Sequence, residues 1–497
     1  MLDDKAGHEN GIEHHTVEKH DVKAVNRKGD RDLYLERQKI YPKRAQGTFR
    51  RLKWLVMAIT LGIYYLVPWI RWDRGPDLPN QAVILDMQHE RFFAFGLEIW
   101  PQEFYYVTGL LVLASLTLFL VTALAGRVWC GYFCPQTVWT DLMVAVERFW
   151  EGDRNARIRL DKEPWGLNKI LRKTATHISW LLIAVLTGGA FVFYFADAPT
   201  LLGQLLTGTA PTTAYMFIGI LTFTTYLLGG IAREQVCIYM CPWPRIQGAL
   251  VDHESLLVSY RDYRGEPRGP VRKSQGWEGR GDCIDCNACV AVCPMGIDIR
   301  DGSQLECIQC ALCIDACNEI MAKVNRPNNL IAYDTIANQE AALKGETAPS
   351  KYFRARTLLY FALLALVGGI LLYALSKRTL LEVNVLPDRN PFYVRMSNGD
   401  IRNGYTVKIL NKLHEPHTYE IMVEGLPDAK VSVVGFEGEA NPKITVPTDV
   451  LAEKRVFVAV PGATAEKLDA NGHAFTLSVK DVETGRTAGR LTAFRRP

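Results

Sequence analysis

The chain contains no G-x-G-x-x-G run and no P-loop among its 497 residues, so nothing in it suggests a nicotinamide, flavin or nucleotide of its own. Any electrons it handles must arrive from a partner. Residues 1–48 are polar and hold no apolar h-region with a small-residue cleavage site. No removable signal peptide is therefore expected, and the first apolar run doubles as the targeting element. A large excess of one charge is also missing. The net charge is only +4, and it sits in stretches that flank apolar runs, which makes membrane lipid rather than nucleic acid the expected partner surface.

Those apolar runs dominate what is there. Crossing a hydrocarbon core of about 30 Å takes about 20 residues, and runs of that length occur near 52–70, 104–125, 175–196, 212–232 and 353–375. Five spans are expected. Lys43, Arg44, Arg50, Arg51 and Lys53 precede the first, and a basic stretch from Arg148 to Lys173 separates the second from the third. Arg261 to Lys273, with Lys351, Arg354 and Arg356, bracket the segment 251–352. The positive-inside bias assigns these basic stretches to the cytoplasm and the 71–103 and 197–211 loops to the outside. An odd fifth span then exports the remainder. All 12 cysteines fall in the membrane core or the inside segment, a distribution that argues for metal ligands or redox groups rather than disulfides.

Two runs, CIDCNACVAVCP and CIQCALCIDACN, each read C-x2-C-x2-C-x3-C. Three closely spaced thiolates reach three corners of one cubane, and the following turn carries the fourth to the other cluster. Cys283, Cys286, Cys289 and Cys317 are thus expected to hold one 4Fe-4S cluster, and Cys307, Cys310, Cys313 and Cys293 the second. Zinc is the competing reading, but zinc sites take four ligands in two pairs and match a duplicated four-cysteine run poorly. Asn318 stands where proline is expected after the last cysteine, which alters the turn but no ligand.

VWCGYFCPQ and QVCIYMCPW place Cys130, Cys134, Pro135 and Cys237, Cys241, Pro242 directly after the second and fourth apolar runs. Two spans plus a thiol pair form an internal repeat, and an even span count per unit makes the copies parallel, with both motifs on the cytoplasmic side. On an α-helix i and i+4 share a face, while each proline removes a backbone donor and kinks or ends the helix. A pseudo-two-fold packing brings the four thiols together. Soft thiolates near a low-dielectric boundary suit Cu(I); the competing reading is four small buried hydrophobes. Trp129, Tyr132, Phe133, Tyr239 and Trp243 read as interfacial anchors. His177 reads as a hydrogen-bonded structural histidine, Met87 and His89 as loop residues, and His8, His14, His15 and His20 as a disordered polar tail.

From about 380 the pattern changes to period two, with Tyr419, Ile421 and Val423, then Val456, Val458 and Val460, then Phe475, Leu477 and Val479 alternating with polar neighbours. Turn-rich stretches separate them, which suggests an antiparallel immunoglobulin-like sandwich without the antibody cysteine pair. A docking module is expected there, with His414, His417 and Met422 as a hint of copper contact.

Taken in this order, the parts resemble the cytochrome c oxidase accessory protein G family of bacterial cbb-type oxidase assembly. IYPKRAQGTFRRLKW before the first span and QHERFFAFGLEIWPQEFYY before the second add to a likeness that covers nearly the whole chain. The resemblance implies a bacterial inner-membrane protein with two 4Fe-4S clusters that reduces Cu(II) to Cu(I) for copper insertion into the oxidase. It makes Cys130, Cys134, Cys237 and Cys241 the candidate copper site and the eight cysteines from Cys283 to Cys317 the cluster ligands. The expected fold is a multi-domain membrane protein. It comprises a cytoplasmic tail (1–48), a four-helix membrane core (49–250), an inserted ferredoxin-like α+β domain in the cytoplasm (251–345), a fifth span (346–378) and a periplasmic all-β sandwich (379–497). Expected partners are a cytoplasmic electron donor, a copper-transporting ATPase or copper chaperone, and cbb-type oxidase subunits or assembly factors. Two other readings stay open: an electron-transfer subunit between quinone or ferredoxin and an exported reductase, and a non-catalytic assembly scaffold.

Overall fold

The computed structural model describes residues 17–26, 38–75, 78–270, 277–346, 348, 351–379, 381–412, 415–436, 442–447, 451–469 and 472–497. The readings of His8, His14, His15 and His414 lie outside the described residues. The chain divides into two compact units, through Leu371 and from Leu372 onward.

Among the described residues, five helices are long and apolar enough to cross a membrane: Thr48–Trp69, Pro101–Ala125, Leu167–Val192, Thr212–Ala232 and Ala355–Ser376. The third starts at Leu167, well before the expected 175. The helix continues past its apolar window because its polar start is satisfied there. Lys169 Nζ donates to Asp161 O (2.9 Å) and Glu163 O (2.7 Å), and Lys173 pairs with Glu151 (2.7 Å) and Asp161 (2.6 Å). The connection after the first span, expected as a loop, contains a three-stranded antiparallel sheet of Val83–Asp86, Arg91–Ala94 and Leu97–Ile99.

Behind the first thiol pair, Pro135 opens a helix that runs to Glu151. At the first helical position its missing N–H is no loss, because that donor has no intrahelical partner. The helix buries Val138, Met143 and Val144, and Trp180 of the third span donates from Nε1 to Met143 O (2.9 Å). It also buries Glu147, whose carboxylate takes Arg157 (2.6 Å) and Arg233 (3.0 Å). Burial opposes the charge on Glu147, but Arg233 and Arg157 outweigh it and hold the carboxyl down to about 2.

The cysteine-rich segment is closed by an antiparallel pair, Leu257–Tyr260 with Ile331–Asp334. Its core of Val258, Ile284, Val290, Ile297, Ile308, Ile314 and Leu330 extends onto Val17, Val22, Ala24 and Phe49. The described parts of the N-terminal stretch, 17–26 and 38–47, thus pack on this core as a strap, where a polar tail was expected. His20 N donates to Cys286 O (2.9 Å), Asn26 N to Gly296 O (3.0 Å) and Lys43 N to Ala291 O (2.8 Å), and His20 itself is buried.

The second unit is a sandwich of strands β1 (Leu381–Pro387), β2 (Val394–Arg395), β3 (Ile401–Asn411), β4 (His417–Glu424), β5 (Lys430–Val433), β6 (Lys443–Val446), β7 (Leu451–Val460), β8 (His473–Asp481) and β9 (Thr487–Phe494). One sheet runs β5-β7-β3-β1 with β2 on β3, and the other β6-β4-β8-β9. Tyr405, Val407, Val456 and Val458 from the first sheet and Tyr419, Ile421, Phe475 and Leu477 from the second fill the core, the alternation expected from the sequence. His417 is held by Asp481 (3.0 Å) and Glu483 (3.2 Å). Strand alternation puts Met422 on the opposite face of β4, so these two are not brought together for copper.

Replacing the buried carboxylate by Glu147→Gln leaves Arg157 and Arg233 without their counter-charge, and a loss of about 3–5 kcal/mol is expected, read as a lower unfolding midpoint. The stabilisation from a depressed carboxyl is complete above its ordinary value of 4.5 and is lost as pH falls from there towards about 2. Unfolding midpoints measured across that window should therefore fall less steeply in the variant than in the parent.

Candidate iron-sulfur and thiol centre

The two cluster loops repeat one backbone conformation. Asp285 (φ 54°) and Asn287 (φ 58°) in the first match Gln309 (φ 56°) and Ala311 (φ 59°) in the second, all left-handed. Each loop then enters a helix, Ala288–Val292 and Leu312–Lys323. That second helix carries Cys317 back to the first loop. Cys283, Cys286, Cys289 and Cys317 line one cavity, while Cys293, Cys307, Cys310 and Cys313 line another that Cys289 also borders. This grouping is compatible with the crossed assignment expected from the spacing.

The donor set fits two 4Fe-4S clusters. A single tetrahedral zinc draws its sulfurs to about 2.3 Å from one point. Among the described residues, no group of three or more His, Cys, Asp or Glu side chains converges on a single-ion site. The sulfurs are instead spread around two cavities. Burial, then Cys286, pushes the Cys317 thiol up to about 12; burial, then Cys310, does the same for Cys293. Iron ligation must therefore displace protons from these thiols. Arg300 places a cation beside the first loop, donating to Asp285 (2.9 Å), Asn287 (2.8 Å) and Asp298 (2.7 Å).

The four remaining thiols stand on two matching turns. The expected α-helical i, i+4 geometry gives way to π-helical turns, Trp129–Phe133 and Val236–Met240, closed by Cys134 N to Trp129 O (2.8 Å) and Cys241 N to Val236 O (2.8 Å). A π-turn widens the backbone ring to i→i+5 and is frequent at functional sites. Each proline then starts a new helix, Pro135–Glu151 or Trp243–Leu250, instead of merely ending one. Burial first, and then Cys134, pushes both Cys130 and Cys237 up to about 12. Cys241 is also felt at both, so the quartet shares one neighbourhood, with Cys241 at its exposed edge, but its sulfurs do not converge on a single-ion site in this conformation.

The second cluster loop is seated directly on the first thiol turn. A Cβ at Gly131 would lie 2.9 Å from both Gln309 O and Ile308 O, a close approach that only glycine permits. Next to it, Arg127 N donates to Gln309 Oε1 (2.8 Å), and its guanidinium donates to Leu305 O, Cys307 O (3.2 Å) and Pro244 O (2.6 Å). Cys130 Sγ donates to Gln247 Oε1 (3.1 Å). Tyr132, expected as an interfacial anchor, is buried and donates to Cys310 O (3.3 Å), and Tyr333 donates to Gln309 O (3.0 Å). Trp129 and Phe133 do stay exposed, stacked on each other with ring centroids 6.0 Å apart. His177 Nδ1 pairs with Tyr226 Oη (2.8 Å), and His89 in the sheet after the first span pairs with Asp86 (2.7 Å). Arg127, Gly131 and Gln309 were missed from sequence. The glycine between two motif cysteines was the available signal.

Crossed ligation has a direct test. Cys293→Ser with Cys307→Ser strikes one cluster only, so iron should fall from about eight to about four atoms per chain, whereas Cys293→Ser with Cys283→Ser should remove nearly all. Ligation run by run reverses the two outcomes, and iron analysis with absorbance distinguishes them.

Comparison with known proteins agrees with this geometry. A 4Fe-4S dicluster domain matches residues 232–336, a 4Fe-4S binding domain matches 107–151, and an IG-like fold at the C-terminal of FixG matches 371–497. The chain is 54% identical to nitrogen fixation protein FixG of Rhizobium meliloti over 477 residues, covering 90% of this chain and 91% of that protein. It is 51% identical to protein RdxB of Cereibacter sphaeroides over 470 residues, covering 93% and 97%. Among solved structures, a FixG-related protein from Vibrio parahaemolyticus aligns with 24% of this chain and 98% of that one, at 19% identity and a TM-score of 0.20. With relatives this similar over nine-tenths of their length, the chain belongs to the FixG family of membrane iron-sulfur redox proteins, the cytochrome c oxidase accessory protein G family.

Proposed function

We propose that the chain reduces Cu(II) to Cu(I) at the four thiols of the two π-turns, for copper delivery during assembly of a cbb-type oxidase. The clusters, when bound, supply one-electron transfer, and a cytoplasmic donor refills them. Each Cu(II) takes one electron and leaves as Cu(I). Cys130, Cys134, Cys237 and Cys241 favour that direction because soft thiolates bind Cu(I) in preference to Cu(II). Every tenfold of that preference raises the copper couple by about 59 mV. The product is retained by the thiols until a copper-transporting ATPase or chaperone takes it. The flanking basic stretches support cluster loops and thiols on the cytoplasmic face and a periplasmic sandwich that docks the oxidase or its assembly factors.

The observation that carries this reading is the seat of Gly131 on the Ile308–Gln309 backbone. The thiol turn and the second cluster loop meet backbone against backbone there. Two substitutions test the two halves of the proposal. Cys237→Ser with Cys241→Ser should lower bound Cu(I) in equilibrium dialysis while cluster absorbance stays unchanged; undiminished copper binding would overturn the site assignment. Gly131→Val forces the two backbones apart and should slow copper reduction about tenfold or more with iron content retained. An unchanged rate would remove the contact from the electron route.

A further inference from the structure

Where the first span meets the cluster segment, a half-open cavity of about 530 Å³ is lined by Arg44, Arg50, Arg51 and Arg148, with Trp54 and Phe149 at its rim. That volume is within the range of ligand sites, about 300–1,000 Å³. None of the described residues that line it is acidic. The nearest acids are engaged with the cavity wall: Asp141 takes Arg50 Nη1 (2.9 Å), Asp315 takes Arg50 N (2.7 Å), and Asp153 takes Arg44 N (3.0 Å) and lies 3.9 Å from Arg148 Nε. Two guanidinium atoms are left over. Arg50 Nη2 and Arg148 Nε are buried and have no hydrogen-bond partner, and Arg50 as a whole is only 6% exposed. Both atoms are closed off from solvent, so they add positive charge behind the cavity wall, while the exposed guanidinium groups of Arg44 and Arg51 are the ones an incoming anion can reach.

We propose that this cavity binds the headgroup of an anionic phospholipid. The chemistry recognised is a phosphodiester, drawn by the four guanidinium charges and met by Arg44 and Arg51, since Arg50 Nη1 is held by Asp141 (2.9 Å) and Arg148 Nη2 by Pro42 O (3.1 Å) and Lys43 O (3.3 Å). Arg44 and Arg51 are exposed at the opening and add long-range attraction. A lipid is favoured over free phosphate by the surface beside the opening. Trp54, Leu55 and Phe149 are 41%, 57% and 78% exposed and offer apolar cover for acyl chains at the level where the first span begins. The site also touches the redox segment. Phe49 N (3.2 Å) and Arg50 N (2.7 Å) donate to Asp315, which lies on the helix that carries Cys313 and Cys317. A headgroup held by Arg44 and Arg51 therefore sits beside the segment that is hydrogen-bonded to the cluster helix.

The test uses delipidated full-length protein in neutral detergent, titrated with dioctanoyl phosphatidylglycerol, dioctanoyl phosphatidylcholine or inorganic phosphate. Saturable phosphatidylglycerol binding at least tenfold tighter than phosphatidylcholine is expected, with inorganic phosphate weaker still. The double variant Arg44→Gln, Arg51→Gln should weaken phosphatidylglycerol binding about tenfold with cluster absorbance and elution volume unchanged. Equal affinity for the two lipids, or wild-type affinity in the double variant, overturns the proposal. Inorganic phosphate binding as tightly as phosphatidylglycerol overturns the lipid and leaves a free-anion site.

Discussion

The bare backbone of Gly131 resting on the Ile308–Gln309 peptide fixes how close the thiol turn and the cluster loop come. Arg127 locks that seat. It is 5% exposed and spends its donors on carbonyls of the cluster segment and of Pro244 in the second thiol repeat. Hydrogen bonds from a charged donor contribute about 1.5–3 kcal/mol each, so a single side chain joins both repeats to the second cluster loop. Burial weakens the Arg127 charge, while Cys130 and Cys307 favour it. The clamp is therefore also a cation shared by the two sulfur sites.

Around this seat the chain is held by buried charge as much as by apolar packing. Glu147 between Arg157 and Arg233, and Asp141 beside Arg50 and Lys53, tie the helix after the first thiol turn to the first and fourth spans and to the basic connector. Removing one member of such a set costs far more than the set as a whole contributes. Its effect is to permit one arrangement of the helices, and a redox relay needs its two ends fixed. The N-terminal strap works on the other side, adding backbone hydrogen bonds from His20 and Lys43 to the stretch from Cys286 to Ala291.

The sequence was most informative where chemistry is local. The two C-x2-C-x2-C-x3-C runs led to an expectation of crossed ligation, because two short spacers and one longer one allow few alternatives, and the cysteines line the two cavities in that grouping. Apolar run length gave five spans, and period two gave the sandwich strands. The failures share a cause. Tyr132 looked like an interfacial aromatic, but its fate is set by Cys310, 178 positions away. Leu167 was placed outside the third span because hydropathy averages ignore the pairing that satisfies Lys169 and Lys173. The strap from Val17 is polar by composition, yet its few apolar residues close the cluster core. Nor does a pattern of Cys, Gly and Pro announce a π-turn, whose extra residue per ring is visible only in the backbone hydrogen bonds.

The central claim is that electrons cross from the cluster loops to copper at the thiol turns, and one anaerobic mixing experiment addresses it most directly. Pre-reduced protein freed of reductant is mixed with Cu(II), and a Cu(I)-specific chelator is followed together with cluster absorbance. The account predicts one Cu(I) formed per electron lost from the clusters, at a matching rate. Clusters that stay reduced in the presence of Cu(II) would contradict it and point to another electron acceptor.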